Sequence, residues 1–210
     1  MTLHQLPIAN KERVIIVGAG IGGLAASLRL SHMGYNVKVF ETAETAGGKL
    51  RTITGQTGEI DIGPTVLTLL PVFQNLFRSV GEDIFDHIEL VRQKIIARHW
   101  WPDGETLDLH DDFESSRDAI LNFSGPESAK EFEKYFYDTR DLFSCFDIPV
   151  MQNPNPSMLD MNRAVLNNPK ILFKMHPLRT LSGLLNYKFR DKRLQQLFGR
   201  YATYVGGSPL

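Results

Sequence analysis

The chain has 210 residues, of which 42% are hydrophobic and 22% are charged, so it can bury a core and is not a disordered chain. Its 17 glycines and 11 prolines follow no short period, which excludes collagen-like and low-complexity sequences. The single cysteine, Cys145, excludes an internal disulfide and favours a reducing compartment. The net charge of −1 hides an asymmetry, because residues 161–210 carry nine Lys and Arg against Asp191 alone.

The first 40 residues predict a βαβ unit, in the order strand, tight turn, helix, strand. The β-branched run at 13–17 lacks polar alternation, which predicts a strand buried on both faces of a parallel sheet. A helix over 24–33, ended by Gly34, and a strand over 37–40 follow. No apolar run reaches the length of about 18 residues that a membrane-spanning helix needs.

The next segments become progressively more helical. Residues 41–57 predict a glycine-rich loop, residues 60–65 an extended start broken by Gly-Pro, and residues 71–80 a helix. Residues 95–101 and 105–109 flank Pro-Asp-Gly and predict a β-hairpin. Helices are then expected over about 111–123, 127–146, 178–189 and 191–201. We therefore predict two portions, a Rossmann-like α/β portion over 1–110 with a parallel sheet and the hairpin, and a mainly helical portion over 111–210.

A glycine motif of the form G-x-G-x-x-G lies between the first predicted strand and helix, the context that dinucleotide binding requires. Gly18 allows the tight turn, Gly20 lets the backbone approach a pyrophosphate, and Gly23 lets helix and strand pack closely. The helix start, which includes Gly22, offers free N–H groups to phosphates. Glu41, about 20 residues further on, is expected to accept hydrogen bonds from an adenosine ribose.

A second glycine pair, at 47–48, is followed by basic residues. Gly48 can bring backbone close to the same pyrophosphate, and Arg51, with Lys49, can neutralise its charge. The first motif alone does not separate NAD from FAD, and NAD dehydrogenases have no general need for this second element. The alternative interpretation is an ordinary surface loop with basic residues.

Residues 14–52 resemble the FAD-binding stretch of the flavin amine oxidase and carotenoid desaturase superfamily. The Asp-Ile-Gly-Pro-Thr run at 61–65 resembles a signature of bacterial-type phytoene desaturases, and further similarity to hydroxyneurosporene (methoxyneurosporene) desaturases of phototrophic bacteria lies at 63–68, 96–104 and 197–209. The resemblance implies an FAD enzyme that desaturates C–C bonds of an acyclic carotenoid, with 3,4-desaturation of 1-hydroxy carotenoids as the nearest activity. It also places Gly63, Pro64 and Thr65 at the cofactor.

Members of that family are considerably longer, and a C-terminal glycine-rich segment closes their flavin site. The resemblance therefore implies a truncated, N-terminal chain whose activity alone is in doubt. The alternatives are a phytoene desaturase or another amine oxidase-like enzyme, a soluble NAD-dependent dehydrogenase, and an inactive nucleotide-binding fragment. No catalytic residue is identified, the six histidines lack metal-ligand spacing, and Cys145 is expected to be a buried small hydrophobe.

The basic C-terminal region has two interpretations. A carotenoid resides in a bilayer, so residues 161–210, with basic and apolar side chains side by side, are expected to contact an anionic membrane peripherally at the cytoplasmic face of a bacterium. Lys170, Lys174 and Arg179 would carry much of that binding. The alternative is a basic helical face packed on the acidic first 160 residues. Nucleic acid is not an expected partner, because no recognition fold accompanies the charge.

Overall fold

A computed structural model describes residues 12–64 and 67–208. The chain divides into two compact units, the first ending at Leu90 and the second beginning at Val91. The sequence places the change of organisation near residue 111. The division lies earlier because the hairpin packs on helices of the second unit and shares a core with them.

The first unit contains the predicted βαβ element. Strand β1 (Arg13–Val17) pairs in parallel with β2 (Asn36–Phe40), and helix α1 (Ile21–His32) connects them. Gly34 ends α1 with a positive φ of 92°, and its N–H donates to the Ser31 carbonyl. A Rossmann-like parallel strand pair is thereby confirmed.

Strand β1 is not buried on both faces as its sequence predicts. Ile15 is 58% exposed and Val17 is 85% exposed. The described sheet has only the two strands β1 and β2, and α1 packs on it from one side, so alternate side chains remain uncovered. A continuous apolar run of this kind is typical of a sheet with both faces covered, and this chain leaves one face open.

The rest of the first unit is an antiparallel hairpin and a helix. Strand β3 (Thr52–Gly55) pairs with β4 (Gly58–Asp61), and α2 (Leu70–Arg78) is followed by a single 3₁₀ turn at Ile84–Asp86. The helix predicted at 71–80 is therefore present and begins one residue earlier.

The second unit begins with the predicted hairpin, β5 (Ile95–Trp100) against β6 (Thr106–His110). Helix α3 (Phe113–Phe146) follows, with Asp112 accepting a hydrogen bond from the Ser115 N–H as its N-cap. The helix is broken at Gly125, whose φ of 85° and ψ of 177° are not helical, as the Gly-Pro dipeptide predicts.

Four shorter helices complete the second unit: α4 (Met158–Asn167), α5 (Ile171–Met175), α6 (Leu181–Lys188) and α7 (Lys192–Gly199). Helix α6 begins later than predicted because Thr180 is its N-cap and accepts from the Gly183 N–H. Helix α7 ends earlier than predicted, and a 3₁₀ segment, Arg200–Val205, continues from it. A π-helical turn, Asp147–Met151, links α3 to the loop before α4.

An aromatic core holds the second unit together. The Phe132, Phe189 and Phe198 rings are buried, and Phe198 stacks on both of the others at centroid distances of 6.0 and 5.1 Å. The inward side of β6 contributes Leu107 and Leu109, which are 2% and 5% exposed. The hairpin and helices α3, α6 and α7 therefore share one core.

Part of the basic C-terminal region pairs with acidic side chains of α3. Lys188 Nζ lies 2.6 Å from an Asp138 carboxylate oxygen, and Lys174 Nζ lies 3.3 Å from Asp138 and 2.5 Å from Asp141. Arg190 pairs with Glu131 at 3.4 Å. Burial would raise the pKa of Asp138, but hydrogen bonds from the two lysines lower it overall. For these cations the structure agrees with the interpretation of a basic face packed on acidic residues.

Replacing Asp138 by Asn should cost about 3 kcal/mol of unfolding free energy, because Lys188 would be left buried without its carboxylate partner. Asp141→Asn is the matched control, since that carboxylate is 44% exposed and should cost about 1 kcal/mol or less. Urea unfolding followed by circular dichroism measures both. Equal, small losses would show that the Asp138 network does not hold α5 and α6 on α3.

Candidate functional site

The turn between β1 and α1 requires glycine at two positions. Gly18 adopts a φ of 101°, and its N–H donates to the Phe40 carbonyl at 2.7 Å, which ties the ends of β1 and β2 together. A Cβ on Gly23 would lie 1.9 Å from the Gly18 carbonyl oxygen, so α1 could not approach the turn with any side chain there. Both glycines have the structural reasons that the motif predicts.

Helix α1 presents an N-terminus without an acceptor of its own. Gly20 caps it without a side-chain hydrogen bond, and no acidic residue lies in the first turn. The first N–H groups of a helix lack intrahelical acceptors and carry the positive end of the helix dipole. A Cβ on Gly20 would meet only the Gly48 Cα, at 3.9 Å, and one on Gly22 would meet nothing within 4 Å. The α1 N-terminus can therefore donate to a phosphate.

Glu41 lies directly after β2 and faces the glycine turn. Its Oε2 accepts the Ala19 N–H at 2.6 Å, and its Oε1 accepts the N–H groups of Ala43 and Thr42 at 3.0 and 2.8 Å and the Thr42 hydroxyl at 3.2 Å. The hydrogen bonds from Ala43, Ala19 and Thr42 lower the pKa of Glu41 to about 2. The carboxylate is therefore ionised at neutral pH, and Oε2 retains a lone pair for a hydroxyl donor.

The second glycine pair packs directly on the first motif. The Gly47 N–H donates to the Ala19 carbonyl at 2.9 Å, and Gly47 forms an isolated parallel bridge with Gly20. Gly47 and Gly48 have φ values of 130° and 63°. A Cβ on Gly48 would lie 3.0 Å from the Gly20 Cα, which is tighter than side chains ordinarily tolerate. The two glycine segments thus approach backbone to backbone.

The segment with the Gly-Pro dipeptide packs on the same loop. A Cβ on Gly63 would lie 2.2 Å from the Lys49 carbonyl oxygen, and the Ile62 N–H donates to the Arg51 carbonyl at 3.0 Å. Pro64 follows Gly63 directly, and Thr65 lies outside the described residues. The structure therefore brings Gly63 to the loop that carries Lys49 and Arg51.

The side chains of Lys49 and Arg51 are exposed, and within the described part of the chain neither forms an ion pair with a carboxylate. Both cations are thus available beside a loop that already contacts the α1 N-terminus through Gly48. Such cations complement a diphosphate.

Two partners in this arrangement were missed by sequence reasoning. Ala19 is 5% exposed, and both its N–H and its carbonyl are used, by Glu41 and Gly47 respectively. Ala19 occupies a variable position of the glycine motif, so nothing in the sequence marks it. Thr42 follows Glu41 directly, and the ordinary preference of Thr for local backbone hydrogen bonds is the signal that could have found it.

Three further sequence expectations concern metal ligands, Cys145 and membrane-spanning helices. Among residues 12–64 and 67–208, no group of three or more His, Cys, Asp or Glu side chains could hold a metal ion. Cys145 is half-buried, with its Sγ 3.7 Å from the Ala164 carbonyl oxygen, so it is less enclosed than its sequence context predicts. None of the described helices is long and apolar enough to cross a bilayer.

Comparison with known proteins agrees with this geometry. Residues 16–82 match the model of a family described as NAD(P)-binding Rossmann-like domain. The strand pair, the glycine turn and this match define the first unit as a Rossmann-like unit.

The chain as a whole is homologous to the hydroxyneurosporene desaturases, as its motifs predict. It is 43% identical to the enzyme of that name from Cereibacter sphaeroides over 94% of this chain, and 40% identical to that from Rhodobacter capsulatus over 95%. The enzyme from Rubrivivax gelatinosus is 37% identical over 94% of this chain. The chain spans 40%, 40% and 38% of the lengths of these three relatives.

Replacing Gly23 by Ala should disrupt the turn and lower the unfolding free energy of the first unit by about 3 kcal/mol, because the new methyl group would overlap the Gly18 carbonyl. Gly22→Ala is the matched control, one residue earlier in the same helix. It has open space, and should raise stability by about 0.5 kcal/mol. Thermal unfolding measures both changes, and equal effects would refute the close approach of α1 to the turn.

Glu41→Gln should lower stability at neutral pH, because an ionised acceptor of three backbone N–H groups is lost. The folded pKa of Glu41 is depressed, so its contribution is present above about pH 4.5 and is lost as the pH falls towards about 2. The stability difference between wild type and variant should therefore shrink across that window. Glu44→Gln, in the same loop, should leave stability at neutral pH unchanged. A Glu41→Gln difference that persists undiminished near pH 2 would contradict the hydrogen-bonded carboxylate.

Proposed function

We propose that the first unit binds FAD through its ADP moiety. The observation that carries this proposal is the backbone contact between two glycine segments, with Gly47 donating to Ala19 and Gly48 against Gly20. A nucleotide diphosphate at the α1 N-terminus would meet free N–H groups from one segment and the cations of Lys49 and Arg51 from the other. NAD dehydrogenases have no general need for the second segment.

Glu41 would receive the adenosine ribose. Its Oε2 already accepts the Ala19 N–H and keeps one lone pair for a ribose hydroxyl. Because the carboxylate is ionised at neutral pH, it would repel a 2′-phosphate, which disfavours NADP. Gly63, Pro64 and Thr65 follow the β3–β4 hairpin and would extend the binding surface from the Lys49–Leu50 backbone. Gly22 leaves open space beside the helix start.

The proposed activity of the whole protein is desaturation of an acyclic carotenoid. Sequence identity of 37–43% to proteins named hydroxyneurosporene desaturase supports this substrate class. When bound, FAD would supply the oxidising ring that takes up a hydride equivalent from a C–H bond on one carbon, while the adjacent carbon loses a proton and the C–C bond between them becomes a double bond. Residues of this chain would hold the ADP end of that cofactor. The nearest reaction is 3,4-desaturation of a 1-hydroxy carotenoid.

Such a substrate is confined to lipid, so we also propose peripheral contact with a bacterial membrane at its cytoplasmic face. Basic and apolar residues together in the second unit support it. The sequence assigned this contact to residues 161–210 and named Lys174 among the residues that carry it. Lys174 forms ion pairs with Asp138 and Asp141, so other cations would have to bind the anionic lipid.

Gly20→Ala tests the cofactor proposal. Its Cβ would meet only the Gly48 Cα at 3.9 Å, so the variant should fold, yet the methyl group would occupy the space through which a diphosphate approaches the backbone. FAD affinity should fall about 100-fold or more, in line with the loss of charge-assisted hydrogen bonds. Flavin absorbance after gel filtration and quenching of FAD fluorescence measure it.

Ser27→Ala is the control that should retain FAD, because it lies further along the same helix and away from the glycine turn. NAD is titrated in parallel, since the first motif alone suits either nucleotide. A folded Gly20→Ala variant that keeps wild-type flavin affinity would refute this site. Saturable NAD binding without FAD binding would replace the flavin enzyme by a nicotinamide dehydrogenase.

A further inference from the structure

Large apolar side chains point to solvent along the segment that contains α4, α5 and the turn before α6. The exposed fractions are 78% for Leu159, 79% for Leu166, 83% for Phe173 and 99% for Leu178. Opposite sides of the same helices face inward, since Ile171 is 1% exposed and Ala164 is half-buried. The helices are therefore packed on the second unit and still carry an uncovered apolar side, which in a soluble protein marks an interaction surface.

Cations without carboxylate partners lie among these apolar residues. Arg163 lies between Leu159 and Leu166 at positions i, i+4 and i+7 of α4, so the three share one face of the helix. Lys170 precedes α5, and Arg179 follows Leu178 and stacks on the Tyr187 ring at 4.4 Å. Among the residues that the structure describes, none of these three cations forms an ion pair, unlike Lys174 and Lys188.

The segment that contains α4, α5 and the turn before α6 has almost no acidic residue to balance the charges of Arg163, Lys170 and Arg179. Asp160 is the only acidic residue between 148 and 180. Its carboxylate is engaged at the start of its own helix, where it accepts hydrogen bonds from the Ser157 N–H and hydroxyl at 3.0 and 2.6 Å. Those hydrogen bonds, from the hydroxyl first, keep the pKa of Asp160 low, and the nearby charge of Arg163 adds to this effect. The outer side therefore combines exposed apolar groups with net positive charge.

We propose that this outer side, defined by Leu159, Arg163, Leu166, Phe173 and Leu178, inserts into the interface of an anionic bilayer. A protein partner or another part of a longer chain covering it would have to desolvate unpaired cations, which is costly. At a bilayer the apolar groups enter the acyl boundary while the cations stay with lipid phosphates. The biological role of this surface rests on the proposed carotenoid chemistry. The proposal also restricts the membrane contact expected for residues 161–210 to the segment that contains α4, α5 and the turn before α6.

Vesicle flotation should separate the contribution of the apolar side chains from that of the cationic side chains, because only the cations depend on anionic lipid. Insertion of apolar groups does not depend on lipid charge, so combined Leu159→Ser, Leu166→Ser and Phe173→Ser should lower partitioning about 100-fold on vesicles with and without phosphatidylglycerol. Combined Arg163→Gln, Lys170→Gln and Arg179→Gln should lower it about 100-fold on phosphatidylglycerol vesicles at low salt. The same variant should bind phosphatidylcholine vesicles as the wild type does.

Controls change other exposed residues of the second unit. Val91→Ser with Leu121→Ser controls for apolar loss at 68% and 40% exposure, and Lys130→Gln controls for loss of an exposed cation. Both controls should partition like the wild type. Far-UV circular dichroism verifies that every variant is folded.

Three outcomes would overturn the proposal: an apolar variant that partitions like the wild type, controls that lose as much binding as the variants do, or a wild type that binds neither kind of vesicle. FAD binding is measured on the same preparations and should be unchanged in all variants, because the substitutions lie outside the first unit. A wild type that binds FAD but neither kind of vesicle refutes only this surface, whereas absence of FAD binding in the wild type refutes the proposed function.

Discussion

The peptide groups of Ala19 hold the glycine segments of the first unit together, since its N–H contacts Glu41 at the end of β2 and its carbonyl contacts the second glycine segment. Its N–H donates to Glu41 at 2.6 Å and its carbonyl accepts from Gly47 at 2.9 Å. Buried backbone polar groups must be paired, and here both pairs connect segments that are distant in sequence. Close approach of three backbone stretches is feasible only because Gly23, Gly48 and Gly63 have no Cβ. The proposed diphosphate cradle rests on that packing.

The second unit depends on a different constraint: α3 packs its aromatic side chains against the later helices and pairs its acidic side chains with their lysines. Its inward side supplies Phe132 to the aromatic core, and its acidic side chains receive Lys174 and Lys188. Asp191 adds a related contact at the start of α7: burial would raise its pKa, but hydrogen bonds from Arg193 and Ser124 lower it to about 2. These pairings neutralise part of the basic C-terminal region, and among the described residues Arg163, Lys170 and Arg179 stay outside them.

Local patterns predicted most elements and the clustering of the glycines. The G-x-G-x-x-G motif, the Gly34 helix end and the Pro-Asp-Gly turn each have a backbone reason that a sequence displays. Three features depended on contacts that a sequence does not display. The exposure of Val17 depends on which elements cover the sheet, the pairing of Lys174 depends on how α5 lies on α3, and the role of Ala19 depends on its backbone alone. The placement of the hairpin with the helical unit has the same cause, because its partners lie far along the chain: the Trp101 Nε1–H, for example, donates to the Gln196 side chain, 95 residues further on.

The central claim is that two glycine segments form one diphosphate cradle, and amide NMR tests it most directly. Titration of the ¹⁵N-labelled protein with ADP should shift the Gly20, Ile21 and Gly48 amide resonances together, with one common dissociation constant. Adenosine, which lacks phosphates, should move them far less. Shifts confined to the α1 N-terminus, with the Gly48 amide unmoved at saturating ADP, would contradict the claim and leave a single-motif nucleotide site.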